Sequence, residues 1–355
     1  MLHYVQLLDT GAAFDGVQQF HTVDIDNRIR PIPAFINLFA AQSYITSRFQ
    51  SVAFELKLIQ LLQESTFDII HLDGLSSCLY TEVIRKYSMA KVVYRAHNVE
   101  YKLWERAAIA SSNPLKRWYI NIQATRLKTF ERNAIATVDT VLSISQEDEI
   151  FLKQLSPQVK TYLFPAGMII DETIVPTLPQ SVSLFFIGAL DWLPNLQGLD
   201  WFLNEVWGVI HKRFPSLQFH IAGKKMPAHF HTLAHLNIIA HGEVPSAVDF
   251  MNQHTVLLSP LISGSGVRIK IIEAMALGKV VLTTTVSAEG SGAEDGKHLL
   301  IANTTDEFIH QIERLLDSPA LLQTIAQNAR NFAIDHFQNK RVITKLLTYY
   351  KSLQA

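Results

Sequence analysis

From Phe67 onward, short apolar runs rich in β-branched residues alternate with helical patterns, which is typical of βα units in a parallel sheet. In the first half the pattern predicts buried strands at residues 67–74, 91–97 and 137–145. In the second half it predicts strands at residues 181–188, 217–223, 237–242, 255–261, 279–284 and 298–302. Helices are expected to begin near Asn195, Ser246, Gly266 and Thr305. The sequence therefore predicts an α/β protein with two Rossmann-like domains that face a cleft.

The predicted domain boundary lies in residues 171–181, which contain Pro176 and Pro179 and no helical period. We divide the chain into a first Rossmann-like domain (1–170), a second one (171–338) and a C-terminal helix (339–355) that is expected to cross back to the first domain. A Rossmann-like domain normally opens with a strand, a glycine turn and a helix. Residues 1–66 show no such unit, so the amino-terminal domain is expected to lack its first βα unit, through truncation or degeneration.

Composition narrows the function classes. Hydrophobic residues make up 48% of the 355 residues, so a folded core is expected. The formal net charge of -1 gives no field for holding a polyanion, which argues against dedicated nucleic-acid binding. The one cysteine, Cys78, excludes an internal disulfide and fits a reducing compartment. The sequence shows neither an apolar run of about 18 residues nor a secretory signal, so a cytoplasmic location is expected.

The strongest chemical pattern is SPLISGSGVRIKIIEAMALGKVVLTT, at residues 259–284. A predicted strand ends, a Gly-Ser-Gly turn at 264–266 follows, and a helix begins just beyond it, where backbone N–H groups favour a phosphate. Arg268 and Lys270 place two cations in the expected first turn, which suggests an anion. The alternative interpretation is a structural turn with solvated cations. The pattern completes neither a GxGxxG fingerprint nor a Walker A motif, which argues against dinucleotide oxidoreductases and P-loop enzymes.

Glu273 follows on the same predicted helix. A carboxylate at this depth in a phosphate-binding helix can accept hydrogen bonds from ribose hydroxyls, as in other nucleotide folds. The alternative is an i,i+3 ion pair with Lys270.

The segments FFIGALDWLPNLQGLDWFLNEVW, FHIAGKKMP, IIAHGEV, LLSPLISGSGVRIKIIEAMALGKVVLTT and SAEG occur in the order found in the donor domain of family 4 glycosyltransferases. RAHNVEYKLWERAA and VDTVLSISQED resemble the acceptor domain of the same family. The sequence resembles in particular the branch with GSG-x-R-x-K-x-x-E. The resemblance implies a retaining hexosyltransferase of the GT-B fold that uses a nucleotide-sugar donor, UDP- or GDP-linked, without an essential metal or other cofactor.

The resemblance also implies roles for individual residues. Arg268 and Lys270 would neutralise the leaving diphosphate, and His97 would position the donor sugar by hydrogen bonding; otherwise His97 is a structural residue at a strand end. The implied donor-binding residues are Gly188, Gly242, Glu243, Val244, Gly264, Ser265, Gly266, Val267 and Glu273. This chain departs from the family pattern in two places. Ser265 stands where the first acid of the Glu-x7-Glu motif falls, and Ala189 follows Gly188 where the family usually has Arg and Lys.

Residues 101–133 are basic, with seven Lys and Arg residues against Glu105 and Glu131, and with Trp104, Trp118 and Tyr119 interleaved. Such a surface can lie against anionic lipid at the inner face of a membrane, and the resembled family often uses lipid-linked acceptors. The alternative is a solvated helix face with its aromatic residues turned inward.

Three histidines, His229, His231 and His235, lie close together in sequence. No carboxylate or cysteine accompanies them, so no metal site is predicted there.

Three functions stay open. The leading one is a glycosyltransferase that transfers a sugar to a glycan or lipid-linked acceptor in surface polysaccharide or glycolipid synthesis. The second is a degenerate, non-catalytic GT-B scaffold or regulatory partner. The third, a nucleotide-sugar epimerase, would need acid and base carboxylates that the pattern does not show.

Overall fold

The computed structural model describes residues 19–173, 178–179, 181–264 and 266–354. The chain divides into two compact units. The first unit takes in the described residues up to Ser143 together with Ile150–Tyr162. The second unit takes in Ile144–Glu149 and Leu163–Ser352. No helix within the described ranges is long and apolar enough to span a bilayer.

The first unit is built on a four-stranded sheet in the order β1-β2-β3-β4. The strands are β1 (Ile69–Asp73), β2 (Lys91–Ala96), β3 (Thr140–Ser143) and β4 (Thr161–Leu163), and the β1/β2 and β2/β3 pairs are parallel. The helices are α1 (Pro31–Ile36), α2 (Tyr44–Ser47), α3 (Val52–Glu64), α4 (Thr81–Tyr87), α5 (Glu100–Ala110) and α6 (Pro114–Thr137). Helix α7 (Gln146–Leu155) follows β3, and its residues from Ile150 onward count with this unit. The three strands predicted for this half are thereby confirmed.

The described residues before β1 form helices from Pro31 onward. Residues 19–68 contain no strand, and the lack of an opening βα unit stays a prediction. Residues 1–18, on which that prediction also rests, lie outside the described residues.

The buried carboxylate of Glu131 on α6 accepts hydrogen bonds from the backbone nitrogens of Glu100 and Tyr101, each at 3.0 Å. These bonds satisfy two of the backbone donors that the first turn of α5 leaves unpaired.

The second unit contains a six-stranded sheet in the order β10-β9-β8-β5-β6-β7, and every neighbouring pair is parallel. Its strands are β5 (Ser183–Ile187), β6 (Gln218–Ala222), β7 (Ile238–Gly242), β8 (Val256–Ser259), β9 (Val280–Thr283) and β10 (Leu300–Ile301). Its helices are α8 (Leu193–Phe202), α9 (Gly208–Arg213), α10 (Ala247–Asn252), α11 (Ile269–Ala276), α12 (Thr285–Ala288), α13 (Thr305–Asp317), α14 (Pro319–Phe337) and α15 (Asn339–Gln354). All six strands predicted for this half are present.

Side chains that point alternately to the two faces give this sheet a core on each face. On β5, Leu184 and Phe186 pack into one cluster with residues of α8 and α13. Phe185 and Ile187 pack into the other cluster with residues of α11 and α14. Successive side chains of a strand point to opposite faces, so an uninterrupted apolar strand such as SLFFI requires helices on both sides. The second unit is therefore doubly wound.

One predicted helix start is wrong. The helix expected to begin near Gly266 begins at Ile269, with Arg268 in an extended conformation at its N-cap. Gly264 and Gly266 have φ values of 120° and 86°, and this backbone conformation cannot continue into a right-handed helix. Arg268 therefore precedes the helix, whereas the sequence interpretation put both cations in its first turn.

Residues around the predicted linker are attached to the second unit. The Arg330 guanidinium on α14 donates a 2.8 Å hydrogen bond from Nη2 to the carbonyl of Asp171. The amide of Gln338 donates to the carbonyl of Ile170. Part of the predicted linker, residues 174–177 and 180, lies outside the described residues. The domain boundaries at residues 170 and 338 stay predictions.

Helix α15 includes the predicted C-terminal helix. Its residues up to Ser352 count with the second unit, and Leu353 and Gln354 count with the first. Its expected return to the first domain stays a prediction.

Candidate donor-binding site

The strand order of the second unit places a candidate site at the carboxyl ends of β5 and β8. From β5 the chain continues outward through β6 and β7, and from β8 it continues in the opposite direction through β9 and β10. In doubly wound sheets such a switch point opens a crevice outside the strand ends, where ligands bind. Gly188 follows β5, and the 264–266 turn follows β8. The sheet therefore brings together the two glycine positions that the sequence singled out.

The close approach of the Asn195 side chain explains why position 188 holds a glycine. A Cβ atom at this position would lie 2.8 Å from Nδ2 of Asn195 and 3.5 Å from Nζ of Lys270. On the neighbouring strand end, a Cβ atom at Gly223 would lie 1.9 Å from the carbonyl oxygen of Gly188. At the carboxyl ends of β5 and β6 the two backbones are therefore in direct contact, with no side chain between them, and this contact lies beside Lys270.

Asn195 on α8 holds the lysine in place, and sequence reasoning missed this role. The asparagine side chain is only 6% exposed. Its Nδ2 donates to the carbonyl of Ala189 at 2.9 Å, and its Oδ1 accepts from Nζ of Lys270 at 3.2 Å. Sequence reasoning named Asn195 only as a helix start, because its partner lies 75 residues away.

The environment of Lys270 makes it electrostatically unusual. Its Nζ lies 4.3 Å from the centre of the Phe186 ring. Burial, and secondarily the positive charge of Arg268, lower the pKa of Lys270 to about 7. A buried cation whose charged form is destabilised in this way gains from a bound anion, and such groups cluster at functional sites.

Arg268 is fixed between the glycine turn and an aromatic ring. Its Nη1 donates to the carbonyl of Gly266 at 2.8 Å, and its Cζ lies 5.4 Å from the centre of the Trp192 ring. A Cβ atom at Gly264 would lie 2.6 Å from Nη2 of Arg268, so only glycine leaves room for the guanidinium. Ser265 lies outside the described residues.

Val267 and Glu273 flank the two cations. Val267 packs closely on Gly290, where a Cβ atom would meet its Cγ2 at 2.9 Å. Glu273 is half-buried on α11, and burial raises the pKa of its carboxyl. Lys270 donates to Asn195, and no ion pair forms between the described side chains of Lys270 and Glu273.

The end of β7 supplies the remaining predicted donor-binding residues. Gly242 adopts a φ of 70°, and its carbonyl accepts a 2.7 Å hydrogen bond from the backbone nitrogen of Gly223. Glu243 is exposed and lies 3.5 Å from Nζ of Lys224. Val244 packs against the core cluster that contains α11. These residues lie at the same edge of the sheet as Gly188, since the β7 strand runs parallel to β5 and β6.

His97 belongs to the first unit, directly after β2. Its Nε2 lies 2.8 Å from Oδ1 of Asp73, the last residue of the neighbouring strand β1. Both side chains are largely exposed. Sequence reasoning missed Asp73, although the carboxyl ends of two adjacent parallel strands necessarily place these two side chains near each other. The carboxylate fixes the orientation of the imidazole ring.

The histidines that the sequence pattern considered for a metal, His229, His231 and His235, lie on a 3₁₀ helix at Ala228–Leu236. His229 lies 3.7 Å from Asp200. Within the described ranges, the histidines that the structure brings together are a different set, His220, His241 and His254.

The two Rossmann-like units have the α/β fold that solved glycosyltransferases of the GT-B class share. HepE of Anabaena, solved in complex with UDP, matches with a TM-score of 0.62 and 14% identity, over 86% of this chain and 84% of that chain. A glycosyltransferase from Rickettsia africae matches with a TM-score of 0.60 and 15% identity, over 94% of this chain and 84% of that chain. At these identities the matches show the fold alone.

Sequence comparison supports a glycosyltransferase of group 1. Residues 181–318 match the family model described as "Glycosyl transferases group 1". A protein described as an uncharacterized 44.6 kDa protein in the cps region of Klebsiella pneumoniae is 22% identical over 267 residues. That match covers 71% of this chain and 66% of the relative, so the aligned part spans just under two thirds of the relative's length.

Proposed function

We propose that this protein is a retaining glycosyltransferase that moves a sugar from a nucleotide-sugar donor to a glycan or lipid-linked acceptor in the synthesis of a surface polysaccharide or glycolipid. The observation that carries the proposal is the pair of cations, Arg268 and Lys270, fixed beside the bare backbone of Gly188 and Gly264. The cps-region relative supports a role in polysaccharide synthesis. The solved complex of HepE with UDP supports a nucleotide-sugar as the donor.

In this proposal the cations act on the leaving diphosphate. When the bond between the sugar and the diphosphate breaks, negative charge builds on the departing phosphate oxygen. Arg268 and Lys270 are already positioned by Trp192 and Asn195, so they stabilise that charge with little reorganisation. Lys270 takes up a proton when the diphosphate binds, because the anion restores the stability of its charged form. No metal or other cofactor is required by this arrangement.

Other residues bind the rest of the donor. Glu273 accepts hydrogen bonds from the ribose hydroxyls, and the backbone of Gly242, Glu243 and Val244 meets the base. His97 hydrogen-bonds to the donor sugar through Nδ1, since Asp73 occupies its Nε2. We assign His97 no nucleophilic role; retention follows departure and attack on the same face of the sugar.

A non-catalytic GT-B scaffold is the second candidate. It is favoured by one observation: residues 19–68 form helices and contain no strand. A scaffold of this kind could keep nucleotide binding while showing no turnover. The experiments below separate binding from turnover and so distinguish the two functions.

Replacing Glu273 with alanine is expected to weaken donor binding by about tenfold, roughly 1.4 kcal/mol, because the ribose hydroxyls lose a charged acceptor. The measurement is calorimetric titration of the wild type and the variant with UDP-, GDP- and ADP-sugars. Glu205→Ala, which removes an exposed carboxylate from the same unit, is the matched control and should bind as the wild type does. If the folded wild type binds none of the sugars, the donor site is refuted.

A surface in the first unit fits an anionic membrane. At the junction of α5 and α6, Ile109, Leu115 and Trp118 are exposed, Leu115 to 78%. Lys116 and Arg117 are exposed between them. Apolar side chains that project beside cations are typical of segments that lie in the lipid interface. We propose that this junction, defined by residues 109–118, contacts anionic lipid at the cytoplasmic face of a membrane.

The two interpretations of this basic stretch apply to different residues. Trp118 projects outward, whereas Trp104 packs against the core of the first unit. Arg126 donates to the carbonyls of Asn37 and Leu38, each at 2.8 Å, so it has a structural role and is not part of the lipid-facing surface. The proposed contact therefore rests on the junction and not on the whole of residues 101–133.

A cavity of about 790 Å³ lies beside the junction. Its lining is mainly apolar, from Tyr44, Trp104 and Ile120, with Arg48 and Lys116 as cations. A cavity of this character suits the apolar part and the phosphate of a lipid-linked acceptor.

Replacing Leu115 and Trp118 together with serine is expected to lower partitioning onto phosphatidylglycerol vesicles at least about tenfold, because two exposed apolar side chains no longer enter the lipid. Vesicle co-sedimentation measures the bound fraction. Met89→Ser removes another exposed apolar side chain of the first unit and should leave binding unchanged. Equal binding of the wild type to neutral phosphatidylcholine vesicles, or undiminished binding of the double variant, would contradict the proposed contact.

A further inference from the structure

Three histidines from separate segments of the second unit converge on one point. His220 lies on β6, His241 lies on β7, and His254 stands just before β8. One ring nitrogen from each lies within 4.8 Å of the corresponding nitrogens of the other two. Nδ1 of His220 and Nε2 of His241 are 3.0 Å apart. The rings of His220 and His254 have centroids 4.0 Å apart.

A strand irregularity brings His241 to this point. Ile221 pairs with Ala240, and the next residue, Ala222, pairs with Gly242, so His241 is the extra residue of a bulge. A bulge changes the direction in which a side chain points. Phe219 and Ile221 pack into the cluster on one face of the sheet, which leaves His220 on the opposite face. His241 reaches the ring of His220 there.

The two ring nitrogens of His254 differ in their hydrogen bonding. Its Nδ1 lies 3.3 Å from Oγ of Ser183. Its Nε2 is buried and has no hydrogen-bond partner in the described part of the chain, and the side chain is 5% exposed. Buried polar atoms are nearly always hydrogen-bonded, so an orphaned ring nitrogen needs an explanation. A metal-ligating histidine commonly has its other ring nitrogen hydrogen-bonded to a group that fixes the ring, as Ser183 does here.

We propose that His220, His241 and His254 bind a divalent transition metal ion of the zinc, nickel or copper class. Three imidazoles without a carboxylate suit these ions and do not suit Mg²⁺ or Ca²⁺, which prefer oxygen ligands. His241 is exposed, so the ion can enter from solvent and keep a water molecule as a further ligand. Bound there, the ion links β6 and β7 to the start of β8 across β5.

The surroundings of the cluster bear on the strength of binding. The positive charge of Lys279 repels a metal ion near His254. The Nζ atom of Lys279 donates to the carbonyl of Asn252 at 3.1 Å. This repulsion further favours ions that form strong bonds to nitrogen over weakly held ones.

The test uses untagged full-length protein freed of metal with a chelator and then titrated with Zn²⁺, with metal content measured by mass spectrometry. One zinc per chain is expected. His241→Ala should weaken binding at least tenfold, because it removes a ligand at an exposed position with little effect on the core. Substitution with Co²⁺ should give the visible ligand-field bands of nitrogen coordination in the wild type, and these bands should be lost in the variant.

The matched control changes the three exposed histidines of the 3₁₀ helix, His229, His231 and His235, to alanine together. It should keep the full zinc stoichiometry and the cobalt spectrum. Loss of zinc in this control, unchanged zinc affinity in His241→Ala, or no zinc bound by the folded wild type would each overturn the proposal. Nucleotide-sugar titration of the same preparations is a separate readout, so failure of the metal site is distinguishable from failure of the proposed donor site.

Discussion

Replacing Lys270 with alanine is expected to lower kcat/KM for turnover of the nucleotide-sugar by roughly 10²–10³-fold, the usual effect of removing one preorganised charge-stabilising group. The charge of Lys270 matters most when the leaving diphosphate develops its full negative charge. The measurement is the rate of nucleoside diphosphate release, with calorimetry reporting donor binding in parallel. Lys212→Ala removes an exposed lysine of the same unit and should leave the rate unchanged. An unimpaired rate in Lys270→Ala would remove this residue from the mechanism.

The same lysine gives donor binding a characteristic pH dependence. With a pKa of about 7 in the free protein, Lys270 is protonated below pH 7 and loses its charge as the pH rises through that value. Binding of the diphosphate must then restore the proton, so affinity should fall by up to about tenfold per pH unit above pH 7. Nucleotide-sugars are suitable probes because their diphosphate has no second ionisation in this range. Lys270→Arg should bind with little pH dependence, and a wild-type slope equal to that of the arginine variant would contradict the assignment.

The strands and the charged turn were predictable from sequence, because both depend on local pattern. Runs such as SLFFI and VLLS mark strands buried on both faces, and the Gly-Ser-Gly turn before two cations predicts an anion site. The supporting contacts were not predictable. Asn195 and Lys270 are 75 residues apart, and only the pairing of β5 with β8 brings their segments together. The start of α11 was misjudged because the φ values of Gly264 and Gly266 delay the helix.

The histidine cluster of the second unit was likewise not predictable from the sequence. His229, His231 and His235 attract attention in the sequence because they are close together along the chain. His220, His241 and His254 are well separated along the chain and meet through strand pairing and one bulge. Spacing along a chain reveals metal ligands when they share a helix or a turn, and it misses ligands that a parallel sheet assembles from several strands.

Replacing Gly223 with alanine is expected to destabilise the second unit by about 3 kcal/mol, at the upper end of the usual cost of overpacking. The added methyl group would lie 1.9 Å from the carbonyl oxygen of Gly188, and backbone cannot move aside as a flexible side chain can. In a unit of this size the loss corresponds to a fall of roughly 6 to 12 °C in Tm. Calorimetric or circular-dichroism melting measures it.

Gly208→Ala is the matched control for this substitution, with the opposite expected sign. Gly208 begins α9, where an added Cβ atom meets nothing within 4 Å. Alanine restricts the unfolded chain and favours the helix, so this variant should gain about 0.5–1 kcal/mol. Together the pair separates the steric effect at the strand ends from the general effect of replacing glycine. If Gly223→Ala melts at or above the wild-type temperature, the strand ends of β5 and β6 do not approach as closely as described, and the close backbone packing beside Lys270 is absent.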